Sequence, residues 1–149
     1  MTNTAAALAS CFTASMREAR AFRISEKDTN YFVILFDPET EGFEHVCVIE
    51  IFESNGATPP NSHSIAHEFF FVLSGQGRAL LNGEEKALVK GDSLLLPPGV
   101  EHVVENTGSG KLYTLTVMFP NEGFAELIRN GIPVELDDED RSVLTDLRG

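Results

Sequence analysis

The sequence predicts an all-β fold, a sandwich or barrel of short strands with less regular segments at the two ends of the chain. Apolar segments recur at short, even spacing, and turns rich in glycine separate them, as in such folds. Asn82 and Gly83 lie between two apolar runs, which is typical of a two-residue hairpin because both residues tolerate positive φ. The 12 glycines and 7 prolines among 149 residues fit a turn-rich architecture.

The strand-forming stretches follow one another without an internal repeat. Residues 69–71 are three consecutive phenylalanines, and a run without polar alternation is typical of a strand that is covered on both faces. We expect Phe70 to line the interior, and Phe69 and Phe71 to face the N-terminal segment, the C-terminal helices or a second subunit. The predicted strands lie at 31–36, 45–52 and 68–77, on both sides of Asn82-Gly83, and at 93–99, 100–106 and 111–119.

The two ends of the chain differ from this pattern. Residues 3–20 are rich in alanine and predict a helix or a frayed arm. Residues 121–130 predict a helix with Phe124, Leu127 and Ile128 on one face, and residues 136–147 predict a second helix with acidic residues in its first turn. We expect a single domain over 1–149, with a barrel over about 30–120, an N-terminal arm over 1–29 and a helical segment over 121–149.

The composition argues against several classes of partner. The net charge is −12, from 11 Lys and Arg against 23 Asp and Glu, which disfavours nucleic acid and anionic membranes. No run of 18 apolar residues is present, so we expect no membrane-spanning helix. Cys11 and Cys47 form neither a C-x-x-C motif nor a disulfide framework, which favours reduced thiols and a cytoplasmic protein.

Residues 91–106 carry the most informative pattern, G-x5-P-x-G-x2-H-x3-N. In it His102 follows a rigid Pro-Pro-Gly turn and opens a new apolar run. A stiff backbone holds such a side chain in one direction, as a metal ligand or a catalytic base requires.

Upstream, His63, His67 and Glu68 lie where a polar loop gives way to a predicted strand. Side chains alternate along a strand, so Glu68 shares a face with Phe70 and Val72, and His67 faces the other way unless the strand boundary breaks the alternation. If Glu68 and His102 point into one barrel, they converge with His63. Two imidazoles and one carboxylate are a usual set for a first-row transition metal, and a cation offsets the cost of burying the carboxylate.

These residues resemble the two motifs of the cupin superfamily of small, single-domain, RmlC-like β-barrels. Residues 91–106 satisfy every fixed position of the second motif. In the first motif, G-x5-H-x-H-x3,4-E-x6-G, the positions of His63, Glu68 and Gly75 match. Asn61 stands where the family has its first histidine, and Gly56 is one residue too close to it. The resemblance implies a double-stranded β-helix, or jelly-roll barrel, with an N-terminal arm and C-terminal helices, and it suggests a homodimer.

The resemblance also implies one divalent transition metal on His63, Glu68 and His102. Asn61 is then a weak ligand or faces the substrate, and His67 is the candidate catalytic base. Three protein ligands leave about three open positions, as in Fe(II) oxygenases with two histidines and one carboxylate. We therefore expect an Fe(II) dioxygenase-like enzyme acting on a small molecule, with Mn, Ni or Zn as other metals.

Three alternatives stay open at this point. They are a metal-dependent isomerase or lyase, a non-catalytic module that binds or senses a small molecule, and a metal-free cupin that retains remnants of the motifs. Other candidates for the pocket are Glu50, in an apolar strand, Arg78, after a Gly-rich turn, and the hydroxyls of Tyr31 and Tyr113.

Overall fold

The computed structural model describes residues 12–146, and within them two antiparallel sheets face each other. The larger sheet has seven strands. In spatial order they are β10 (Ile132–Val134), β1 (Ala21–Arg23), β2 (Asn30–Phe36), β3 (Val46–Phe52), β9 (Leu112–Phe119), β4 (His67–Ser74) and β7 (Ser93–Leu96).

The smaller sheet has three strands, in the order β6 (Glu84–Val89), β5 (Gln76–Leu81) and β8 (His102–Asn106). Asn82 and Gly83 both have positive φ and close the β5–β6 hairpin, which confirms the predicted turn. Single bridges from Ala57 to Glu105 and from Asn61 to His102 attach the 53–62 loop to β8.

Alternation along the strands builds a core between the two sheets. Phe70 and Val72 of β4 are buried there with Phe52 of β3, as the alternation predicts. The same cluster contains Ala79, Leu88, Leu96, Val104 and Leu112, which come from both sheets. An all-β jelly-roll fold with short C-terminal helices is therefore confirmed.

Part of the outer face of the larger sheet is covered by the two ends of the chain. Ile49 and Ile51 of β3 pack there, with Met16 of the N-terminal arm and Val143 and Leu144 of the last helix against the same cluster. Further along this face, on β4 and β7, Phe71 is 37% exposed and Leu95 is 55% exposed.

Three short helices lie in the described part of the chain, α1 (Pro38–Glu41), α2 (Phe124–Arg129) and α3 (Asp138–Thr145). Both predicted C-terminal helices are present. Helix α2 buries Ala125 and Ile128 and leaves Leu127 exposed, so the predicted apolar face is rotated toward Ala125. Asp137 caps α3 by accepting from the N–H of Asp140 at 2.8 Å.

Two strands lie outside the predicted limits of the barrel. β1 falls in the predicted arm and β10 in the predicted helical segment, and they pair with each other through Ala21–Val134 and Arg23–Ile132. Of the predicted helix or arm over 3–20, residues 3–11 lie outside the described part; residues 12–20 contain a turn and no helix. Across residues 12–146, no helix combines the length and hydrophobicity that crossing a membrane would need.

Candidate metal centre

Glu68 is the second residue of β4 and projects from the inner face of the larger sheet. It pairs across the sheet with Leu96 of β7 and Met118 of β9, both of which are buried. Its carboxyl group is itself buried, in a place where a lone charge would be unfavourable.

His102 is the first residue of β8 and reaches the same point from the smaller sheet. Gly99 adopts a φ of 82° in the turn before it, a conformation that glycine accepts readily. The Nδ1–H of His102 donates to the carbonyl oxygen of Val100 at 2.9 Å, and this bond fixes the ring with Nε2 toward Glu68. The predicted role of the Pro-Pro-Gly turn, to aim His102, agrees with this geometry.

His63 comes from the loop between β3 and β4, and backbone hydrogen bonds hold the loop on both sides of it. The N–H of Gly99 donates to the carbonyl oxygen of His63 at 2.8 Å. The carboxylate of Glu122 accepts from the N–H groups of Ser64 at 2.8 Å and Ala66 at 2.9 Å. The loop thus rests on the segment before α2 and on the turn that also positions His102.

The three side chains converge on one oxygen. Oε2 of Glu68 lies 2.8 Å from Nε2 of His102 and 2.9 Å from Nε2 of His63. The three candidate ligand atoms all lie within 4.8 Å of one another. This is a compact arrangement of two imidazoles and one carboxylate, as the sequence predicts.

The protonation of the cluster follows from its hydrogen bonds. Burial raises the pKa of Glu68, but the hydrogen bonds from His102 and His63 outweigh it and hold the pKa below its usual value. Burial lowers the pKa of His102, but the hydrogen bonds to Glu68 and Val100 outweigh it and raise the pKa. Because both partners of His102 only accept, the protonated imidazolium makes both bonds, and its Nε2 proton occupies the place that a cation would take.

Comparison with known proteins agrees with this geometry. Residues 48–118, which include both motif histidines and Glu68, match the family described as "Cupin domain". The matched segment, just under half of the chain, is therefore similar to a cupin domain.

The similar proteins support the same fold. A predicted oxalate decarboxylase of Thermotoga maritima superposes with a TM-score of 0.65 at 23% identity, over 72% of this chain and 97% of that one. An RmlC-like cupin of Shewanella frigidimarina gives a TM-score of 0.62 at 21% identity, over 77% of this chain and 96% of that one. An uncharacterised protein of Methanocaldococcus jannaschii is 32% identical over 60 residues, which are 40% of this chain and about half, 48%, of that protein.

Cupins commonly bind a divalent metal and small-molecule substrates, and this protein has a cavity of about 200 Å³ beside its candidate ligands. The volume is below the roughly 300–1,000 Å³ of sites for drug-sized molecules, so it suits a smaller one. One wall is apolar and includes Phe32 and Phe124, whose rings pack edge to face at 5.4 Å.

Asn61 and His67, the other two predicted site residues, lie in different surroundings. Asn61 lines the cavity, and its Nδ2 donates to the carbonyl oxygen of Pro59 at 2.9 Å. His67 lies on the opposite side of β4 from Glu68, where its ring stacks on Phe119 with centroids 5.5 Å apart. His67 is not among the described residues that line the cavity. A role for either residue stays a prediction.

Of the weaker candidates, only Glu50 reaches the cavity. Arg78 pairs with Glu105 at 2.6 Å, between β5 and β8. The hydroxyls of Tyr31 and Tyr113 both donate to Asp140, on the outer side of the larger sheet.

Sequence reasoning missed Glu122 and Asn30, because neither belongs to a motif and both act through residues distant in the chain. A signal for Asn30 was available, since strand alternation places it on the same face as Phe32.

Proposed function

We propose that this protein binds one divalent transition metal through His63, Glu68 and His102 and acts on a small molecule in the adjacent cavity. The fixed orientation of His102 carries the proposal, because histidines that bind metals commonly hold their second ring nitrogen on a carbonyl or carboxylate oxygen. A donor set of two imidazoles and one carboxylate fits a first-row transition metal.

The reaction class that we favour is a dioxygenase reaction with Fe(II), with Mn, Ni and Zn as the other metals. When bound, the metal would supply a Lewis acid with open coordination positions for an oxygen-containing substrate and dioxygen. The protein's own part is to orient the ligands and to keep water from the substrate with the apolar wall. The Thermotoga maritima neighbour at 23% identity supports the fold and not a particular substrate.

Two residues have proposed roles next to the ligands. Asn61 lies beside His102 at the edge of β8, with its backbone N–H donating to the carbonyl oxygen of His102 at 3.1 Å. We assign it to the substrate side of the cavity or to a weak additional ligand. His67 is the proposed proton-transferring residue, a role that requires it to reach the substrate from the other side of β4.

Metal content tests the proposal directly. Protein purified without added metal, and then exposed to Fe(II), Mn(II), Ni(II) or Zn(II), should hold about one metal per chain. The variant His102→Ala should hold less than about a tenth of that amount, whereas His67→Ala serves as the matched control and should keep it. Wild-type protein that holds under about 0.1 metal per chain with every ion would overturn the proposal.

Oxygen consumption tests the reaction class. Candidate small molecules that are converted with uptake of dioxygen support a dioxygenase, and conversion without uptake supports an isomerase or a lyase. If His67 moves a proton, His67→Ala should bind metal normally and turn over more slowly.

We also propose that the single domain acts as a cytoplasmic homodimer. The dimer is what the family resemblance suggests, and the exposed Phe71 and Leu95 on the outer face of the larger sheet support it. The location follows from the cysteine content, and the described cysteine, Cys47, is a free thiol. Cell fractionation of the native organism would test the location.

A further inference from the structure

Glu50 is a second buried carboxyl group that lines the same cavity as Glu68, and neither sequence motif includes it. It lies on β3 between Val48 and Phe52, on the inner face, and is only 2% exposed. It is not part of the cluster formed by the three candidate metal ligands.

The hydrogen bonds of Glu50 leave one neighbouring group unsatisfied. Its Oε1 accepts from Nδ2 of Asn30 at 2.8 Å, and its Oε2 accepts from Oγ1 of Thr116 at 3.2 Å. Asn30 is 3% exposed and also lines the cavity, and its Oδ1 has no hydrogen-bond partner among residues 12–146. A buried acceptor without a donor is costly, so this place favours a ligand or a water that donates to it.

No cationic side chain among the described residues compensates a negative charge on Glu50. Among the described ion pairs, none includes Glu50. The nearby ionisable group that affects its pKa is Glu68, whose negative charge disfavours a second one. Burial, with a further contribution from the charge of Glu68, raises the pKa of Glu50 to about 8. At neutral pH its carboxyl group therefore has a hydrogen to donate as well as oxygens that accept.

The rest of the cavity limits what could bind these two groups. No lysine or arginine is found among the described residues that line it, so away from His63 and His102 it offers no protein cation to an anionic group of a ligand. Its apolar lining includes Phe32, Phe124 and Leu127. A hydroxyl group, which both donates and accepts, suits Glu50 and Asn30, and a compact apolar body suits the apolar lining.

We propose that Glu50 and Asn30 form a hydroxyl-binding floor of the cavity. The ligand is a small, uncharged, largely apolar compound that directs one oxygen toward His63, Glu68 and His102 and places a hydroxyl group on this floor. The part that concerns the oxygen at the metal ligands rests on the proposed function. The hydroxyl-binding floor does not need a metal.

Simple phenols provide a matched set of probes. Phenol has one oxygen, and catechol, resorcinol and hydroquinone place a second hydroxyl at three distances from the first. Binding to the full-length chain would be measured by NMR titration under nitrogen, in metal-free protein and in protein loaded with Zn(II). At least one of resorcinol and hydroquinone, which cannot chelate, should bind about five-fold more tightly than phenol, as expected for one added neutral hydrogen bond.

The preference for the second hydroxyl should fall to less than about two-fold in Asn30→Ala and in Glu50→Leu, since each removes part of the floor. Val72→Ala is the matched control, because Val72 is equally buried on the inner face of β4 but does not line the cavity. It should keep the preference. Chemical-shift dispersion of each variant shows whether it folds, and Asn30→Asp provides a near-isosteric second variant at that position.

The outcomes separate this inference from the proposed function. If the protein binds no metal but the metal-free form prefers the second hydroxyl, the floor stands and the metal proposal fails. If metal binds and all four phenols bind equally, or none shifts any resonance, the floor is wrong. A crystal with bound resorcinol or hydroquinone that shows only water at Asn30 and Glu50 would also overturn it.

Discussion

Nε2 of His102 lies 2.8 Å from Oε2 of Glu68, although the two residues belong to different sheets and are 34 positions apart in the sequence. His63 reaches the same oxygen from a loop that is held by Gly99 and Glu122. A cation that replaced the shared protons would join both sheets and this loop. Metal binding should therefore be coupled to the stability of the whole barrel.

The first prediction concerns this coupling. Adding Zn(II) or Ni(II) at about 100 times its Kd should stabilise the fold by roughly 2.7 kcal/mol and raise Tm by roughly 5–10 °C in a scanning calorimetry experiment. His102→Ala should lose the increase, and His67→Ala, which lies outside the cluster, should retain it. An equal shift in both variants would mean that the metal binds elsewhere.

The second prediction is that metal affinity rises with pH. The raised pKa of His102 means that the imidazolium–Glu68 pair of the metal-free protein is fully formed below the unfolded value of 6.5 and is lost as pH rises through the folded value. A metal must displace that proton, so the affinity should increase from pH 6 upward and level off above the folded pKa of His102. Titration calorimetry in buffers of different ionisation enthalpy would measure the released protons, and binding without proton release would contradict the scheme.

The second motif could be predicted almost completely from the sequence because its signals are local. Gly91 and Gly99 both have positive φ, and His102 begins a strand whose inner face continues with Val104. The last motif position, Asn106, also has a local role: its Nδ2 donates to the carbonyl oxygen of Gly110 at 2.7 Å, and its Oδ1 accepts from the N–H of Gly108 at 3.0 Å.

Long-range contacts explain most of what the sequence left undetermined. The three-residue strands β1 and β10 have too little pattern to be recognised, and each is stabilised by a partner about 110 residues away. The pairing of Glu50 with Asn30 and Thr116 depends on the order β2–β3–β9 in the sheet, which no local spacing encodes. The sequence indicated that Glu50 was interior, but its hydrogen-bond partners could be identified only from the tertiary structure.

The third prediction concerns the cost of burying Glu50. Because the pKa of Glu50 is raised to about 8, largely by burial, the native carboxyl stays protonated while the unfolded one ionises. Its contribution to stability therefore falls between about pH 4.5 and pH 8. Glu50→Gln should remove this decrease. Measured by urea unfolding, the free energy of unfolding of the variant should therefore rise relative to that of the wild type as the pH rises from 5 to 8. The exposed Glu101→Gln is the control, and a constant difference between Glu50→Gln and wild type would refute the prediction.

The fourth prediction concerns the dimer. Leu95 is 55% exposed on the outer face of the larger sheet, and Val89 is 51% exposed on β6 of the other sheet. We expect the wild-type chain to elute as a dimer at micromolar concentration in size-exclusion chromatography with light scattering. Leu95→Lys should shift it to monomer, whereas Val89→Lys should not. A monomeric wild-type protein would exclude the proposed assembly.

The last prediction concerns Asp140, which attaches α3 to the outer face of the larger sheet. Its carboxylate is 1% exposed and accepts from the hydroxyls of Tyr31 and Tyr113, both at 2.8 Å, and from Nζ of Lys111 at 2.9 Å. Burial raises the pKa of both tyrosines, so their hydroxyls stay protonated as donors. Asp140→Ala leaves these donors without their common acceptor.

We expect Asp140→Ala to lower the free energy of unfolding by roughly 3 kcal/mol, measured in urea, because the buried donors lose their partner. Glu139→Ala is exposed in the same turn of α3 and should cost less than about 1 kcal/mol. Since Asp140 lies on the opposite side of the sheet from His102, folded Asp140→Ala should still bind metal with wild-type stoichiometry. A loss below about 1 kcal/mol would show that apolar packing alone holds α3 in place.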